Sequence, residues 1–148
     1  MNPPLRSPQD QAALLEGLRD GTIDLIATDH APHSAEEKGR GLKDSAMGIV
    51  GLETAFPLLY TRLVKRGALS FARLIALMCI APRRRFNLPG GEIAPGRPAD
   101  LCVYDLNASY RIDPEAFLSK GRNTPFGGMA VQGENILTMS GGRIVWEK

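Results

Sequence analysis

Apolar residues recur along this chain first at helical spacing and then, in its last third, in short strand-like runs. Ser7-Pro8 followed by Asp10 reads as a helix start, with a hydroxyl cap, proline at the first helical position and an acid in the first turn. Leu14, Leu15 and Leu18 then share one face, and Gly21 ends the helix. The next run, Ile23-Asp24-Leu25-Ile26-Ala27-Thr28, is short and mostly apolar, which suits a buried parallel strand. A helix leading into such a strand is an α/β pattern.

Residues 29–51 are polar and rich in Gly, Lys and Glu, too long for a simple connection and placed directly after the C-terminal end of the expected strand. Leu52, Phe56, Leu59 and Leu63 return to helical spacing, with Pro57 confined to the first turn if one helix carries them all. Ser70 caps a further expected helix holding Phe71, Leu74, Ile75 and Met78. After Phe86 the pattern changes: residues 89–98 are dense in Pro and Gly, and Leu101-Cys102-Val103-Tyr104 reads as a strand. Ile136-Leu137-Thr138-Met139 and Arg143-Ile144-Val145-Trp146 flank Ser140-Gly141-Gly142, as in a tight hairpin. The expected division is therefore a helical part over 1–88 and a small β-rich part over 89–148.

Composition narrows the function classes. With 148 residues and 43% apolar content the chain has enough for one globular core. A net charge of +2 is too small to imply a nucleic acid or an acidic membrane as partner, and Arg83, Arg84 and Arg85 read as a solvated helix face. Cys79 and Cys102 each lie in an apolar run, so both are expected as buried free thiols of a reducing compartment. No apolar stretch reaches the ~20 residues of a membrane span and the N-terminus has no signal-peptide character, which points to the cytoplasm.

The sharpest chemistry is Asp29-His30-Ala31-Pro32-His33 at the end of the expected strand. Carboxylate and imidazole bind zinc and move protons near neutral pH, and strand C-termini are where α/β barrels place their active sites. The same residues also suit a plainer role, with Asp29 capping a turn beside a packed histidine.

Three blocks extend the pattern: Asn2-Pro3-Pro4-Leu5-Arg6, then Ile26-Ala27-Thr28-Asp29-His30-Ala31-Pro32-His33, then Gly48-Ile49-Val50-Gly51-Leu52-Glu53-Thr54-Ala55-Phe56-Pro57-Leu58. In content, order and spacing they resemble the C-terminal part of the bacterial long-form (class I) dihydroorotases of the amidohydrolase superfamily. Gly96-Arg97-Pro98-Ala99-Asp100-Leu101 with Asp105, and Asn123-Thr124-Pro125-Phe126, are similar to that family's accessory β domain and tail.

The resemblance implies a metal-dependent (β/α)₈ barrel that interconverts dihydroorotate and N-carbamoyl-L-aspartate in pyrimidine synthesis. Asp29 would be the last metal ligand and the general base, taking the proton of a metal-bound hydroxide and passing it to the leaving amide nitrogen. His33 and Asn2 would hydrogen-bond the substrate, and the backbone at Met47 and Gly48 would close over the ring, while His30 is structural. The family's His-x-His pair, its two further histidines and its carboxylated lysine or aspartate lie upstream of the Asn-Pro-Pro block, and this chain holds only two histidines. The expectation is accordingly an α/β remnant rather than a complete barrel, inactive alone, with the binuclear zinc of intact relatives absent or weakly held. Apolar faces left without barrel neighbours imply a homo-oligomer. Two alternatives share the resemblance. Hydantoinase-like or allantoinase-like amidohydrolases tend to carry Ser where this chain has Asn2, and a non-catalytic scaffold partner of aspartate transcarbamoylase would have less reason to keep Asp29, His33 and Asn2.

Overall fold

The computed structural model describes residues 1–148. Helix α1 (Pro8–Asp20) begins as its sequence requires: the Ser7 hydroxyl accepts from the Asp10 amide, the Asp10 carboxylate accepts from the Ser7 amide, and Gly21 closes the other end by donating to the Gly17 carbonyl. Its apolar face is only partly used, since Leu14 is exposed while Leu15 and Leu18 are half-buried.

Residues 23–28 are not a strand. They run as irregular backbone, and the Ile26 amide donates at 3.0 Å to the carbonyl of Leu77 in a helix. The apolar pattern is satisfied by half-burial against helices, and no neighbouring strand is there to form a ladder.

Two single-turn helices follow, α2 (Ala35–Lys38) and α3 (Gly41–Asp44). Helix α4 (Ala55–Leu59) passes directly into a π-helical turn (Tyr60–Val64), and α5 (Phe71–Ile75) passes through a second one (Ala76–Ile80) into α6 (Ala81–Arg85). Leu52 lies in the turn before α4 and is exposed, so the expected stripe begins at Phe56. Pro57 falls in the first turn of α4, where its missing N–H costs nothing. Pro82 sits in the middle of the second long helix. The preceding turn widens there, with the Ala81 amide donating five residues back to Ala76, as expected where a proline interrupts the ordinary ladder.

Beyond the turns and bends of residues 86–100 come three antiparallel strands in the order β1-β2-β3: β1 (Leu101–Arg111), β2 (Ala130–Ser140) and β3 (Arg143–Glu147). β2 and β3 are joined by the two-residue loop Gly141-Gly142. β1 is irregular between Asp105 and Ser109, where the Asp105 carboxylate accepts from the Asn107 and Ala108 amides and holds the bulge open. The sheet is open, and no barrel is closed.

The core forms where α4 meets the sheet. Phe56 packs against Tyr104 of β1 with ring centroids 3.9 Å apart and planes tilted by 34°, Tyr60 lies parallel to Phe56 at 5.8 Å, and Phe71 meets Tyr60 edge-on at 6.0 Å. Gly133 of β2 makes this approach possible, because a Cβ there would stand 3.0 Å from Phe56 Cε1. Leu74 and Leu77 are fully buried on the same side. Both cysteines are free, but Cys102 is exposed on β1 and only Cys79 is partly covered.

Candidate functional site

Residues 29–33 are held in place by side chains and isolated backbone bonds. His30 turns inward, and its Nδ1 accepts from the amides of Gly51 (3.0 Å) and Leu52 (3.3 Å). A ring nitrogen that accepts two amides is unprotonated, which leaves His30 a structural acceptor pinning the segment to the start of α4. The Ala31 amide donates to Ile49 at 2.9 Å. Asp29, next to this anchor, adopts φ 45°, a left-handed conformation more accessible to Asp than to most side chains, and is exposed to solvent.

His33 faces a second wall. Its Nε2 lies 2.8 Å from the Met47 carbonyl; a carbonyl can only accept, so Nε2 carries the proton and donates. Its Nδ1 points toward Glu37, 3.8 Å away. Glu37 is engaged by the amide and hydroxyl of Ser34, which cap α2, and these bonds, with a smaller contribution from the charge at His33, hold its carboxyl below the ordinary carboxylate range.

Gly48 follows in the same wall. Its φ is 116°, and a Cβ there would fall 2.4 Å from the Ala31 Cβ, so only glycine can stand at this crossing. The Asn123 side chain ties the wall together: Oδ1 accepts from the His33 amide at 3.2 Å, and Nδ2 donates to the Gly48 carbonyl at 3.0 Å. The backbone carbonyl of Asn123 also accepts from the Val50 amide. The expected site residues thus divide. His33, Met47 and Gly48 are brought together, Asp29 stands four residues before His33, and the bonds that build the cluster do not involve Asn2. Asn123 is the organising residue that the sequence placed only in a tail block, with no local signal for its contacts across the site.

The donor set does not complete a metal centre. No group of three or more His, Cys, Asp or Glu side chains is placed to hold an ion, and Asp29 is a single carboxylate. A cavity of about 500 Å³ between α4 and the sheet is lined by Phe56, Tyr104, Phe117, Asn135 and Trp146 among others, and by none of Asp29, His33, Met47 or Gly48. No helix is long and apolar enough to cross a membrane.

The profile of the Amidohydrolase family matches residues 2–145. Over all 148 residues the chain is 55% identical to a dihydroorotase of Halalkalibacterium halodurans and 56% identical to one of Bacillus caldolyticus. It spans 35% of the length of these curated relatives. Among solved structures it superposes on an L-hydantoinase (dihydropyrimidinase) from Arthrobacter aurescens with a TM-score of 0.89 and 38% identity, covering 99% of this chain and 34% of that one. A D-hydantoinase (dihydropyrimidinase) from Thermus sp. gives a TM-score of 0.90 at 30% identity, covering 99% and 33%.

Proposed function

Because the chain belongs to the amidohydrolase family, we propose that it supplies one wall and the proton-transferring carboxylate of a dihydroorotase active site. The observation that carries this reading is the convergence of His33, Met47 and Gly48 into one bonded wall, with an exposed Asp29 four residues before His33 in sequence, in a chain 55% identical over its whole length to a dihydroorotase.

In this scheme the Asp29 carboxylate accepts a proton from the water that attacks the ring amide carbonyl of dihydroorotate. The ring C–N bond then breaks, and Asp29 returns the proton to the leaving nitrogen, giving N-carbamoyl-L-aspartate. Solvent exposure leaves Asp29 free to reach a ligand. The Met47 and Gly48 backbone covers one face of the ring, and His33 and Asn2 donate hydrogen bonds to it. His33 does so by moving Nε2 from the Met47 carbonyl to the ligand.

The intact family is associated with zinc. The groups present here do not make a zinc site, since a protein site takes three or four ligands and Asp29 offers one. No step is therefore assigned to zinc, and the remaining donors have to come from residues other than these 148. For the same reason we propose that the 148-residue chain has negligible hydrolase activity by itself, and that the division at 88/89 separates barrel-derived from accessory elements.

The test is a transplant. The matching segment of the Bacillus caldolyticus dihydroorotase is replaced by this chain, and kcat/KM is measured for dihydroorotate and for hydantoin. A preference for dihydroorotate is expected. A chimera that prefers hydantoin would shift the reading to a hydantoinase, and a folded chimera inactive on both would leave a scaffold role.

A further inference from the structure

Three consecutive carbonyls of residues 46–48 point to side-chain donors, and one lysine serves two of them. Lys38 Nζ donates to the Ala46 carbonyl at 2.8 Å and to the Gly48 carbonyl at 3.0 Å, while His33 Nε2 takes the Met47 carbonyl between them. Gly48 O is shared with Asn123 Nδ2 at 3.0 Å. Lys38 is itself fixed: it is the last residue of α2, and its own carbonyl accepts from the Ser45 hydroxyl at 2.8 Å. The Ala46 amide returns to the Glu37 carbonyl at 3.0 Å. The lysine forms no ion pair with a carboxylate, so its ammonium is committed to backbone carbonyls.

We propose that Lys38 is a positioning residue: it clamps residues 46–48 into the single conformation that presents the Met47–Gly48 wall to a ring ligand, with Asn123 as the second jaw. Residues 46–48 belong to no helix or strand, so no repeating ladder fixes them. Gly48 occupies φ 116°, which the unfolded chain visits among many alternatives and which needs restraint to persist. An ammonium carries three donors on one compact centre and can bridge two carbonyls, and hydrogen bonds to a charged donor are roughly twice as strong as neutral ones. Methionine in its place keeps the length of the stem and removes all donors. Arginine keeps charge and donors on a differently shaped head.

This inference rests on the proposed role of the Met47–Gly48 wall, and its test separates the two. The labelled 148-residue chain and its Lys38→Met, Lys38→Arg and Asn123→Ala variants are compared by amide relaxation, and dihydroorotate is then titrated to millimolar concentration. In the parent chain the Met47 and Gly48 amides are expected in the rigid range, an order parameter of about 0.85, falling below about 0.6 in Lys38→Met. The Ser34 and Glu37 resonances of the α2 cap stay in place, which a general loss of structure would not allow. Lys38→Arg recovers part of the order and Asn123→Ala loses it. Parent-like order at Met47 and Gly48 in Lys38→Met overturns the inference and leaves the proposed function standing. A clamp that behaves as described while dihydroorotate moves neither Met47 nor Gly48, in the parent chain or in the Bacillus caldolyticus chimera carrying it, supports the clamp and overturns the ring-binding role of these two residues.

Discussion

A side chain at Gly48 has nowhere to go. Its φ of 116° and the 2.4 Å approach of any Cβ to Ala31 combine a backbone penalty with a steric one. Gly48→Ala is expected to lower stability by about 1–3 kcal/mol from the backbone alone. Adding Ala31→Gly should recover only the steric part, and a urea double-mutant cycle reads the split. Glu37 makes a pH prediction. Its folded pKa lies below its ordinary value of 4.5, because the Ser34 amide and hydroxyl bond the ionised form. A depressed carboxylate stabilises the fold above its unfolded pKa, and that contribution is lost as pH falls from near 4.5 through the lower folded value. Carboxyl NMR titration should give a Glu37 midpoint below 4.5, and Glu37→Gln should flatten this acid dependence; a midpoint at or above 4.5 would contradict the cap. Ser34→Ala, which removes the hydroxyl's bonds to the Glu37 amide and carboxylate, should cost about 1 kcal/mol by urea unfolding. At this scale part of the cluster was legible: His33 and Gly48 stand out through the family resemblance, and the structure bonds both into one wall. Asn123 did not, because its partners are 75 and 90 residues away in sequence, and nothing local marks such a contact.

Among the elements, the aromatic contact between α4 and the sheet carries the packing. Phe56→Ala would open the contact with Tyr104 and Tyr60, and about 3–5 kcal/mol of destabilisation is expected from thermal or urea unfolding. A loss below about 1 kcal/mol would mean that the sheet does not rest on α4 in solution. Gly133→Ala pushes a methyl against Phe56 and should cost about 1–3 kcal/mol. Helix α1, the Ser70 cap and the β2–β3 hairpin were readable because caps and tight turns are local chemistry. Residues 23–28 were misread for a physical reason: an apolar run records burial, and burial against helices leaves the same trace as burial in a sheet. The two π-helical turns left no periodic signal, since one extra residue shifts the register without breaking the helix.

For the molecule as a whole, only 13 of 148 residues are buried, a small core for a chain this long. Leu5, Leu42, Ile93 and Leu118 are more than three-quarters exposed, and β1 and β3 each leave one edge unpaired. Phe56 is covered by the chain's own sheet, so the drive to associate comes from the edges and these other residues. Light scattering across a dilution series should show mass rising with concentration, whereas a constant monomer mass would show that the exposed apolar surface is tolerated. The open three-stranded sheet agrees with the expected α/β remnant rather than a complete barrel, in a chain that spans 35% of the length of its curated relatives. The most direct measurement of the central claim is dihydroorotate turnover by three proteins side by side: the 148-residue chain, the Bacillus caldolyticus chimera carrying it, and that chimera with Asp29→Asn. The account predicts no detectable turnover by the chain, clear turnover by the chimera, and a loss of about 10²–10⁴-fold on Asp29→Asn. Turnover by the chain alone at a rate near the chimera's, or an Asp29→Asn chimera within a few-fold of its parent, would contradict it.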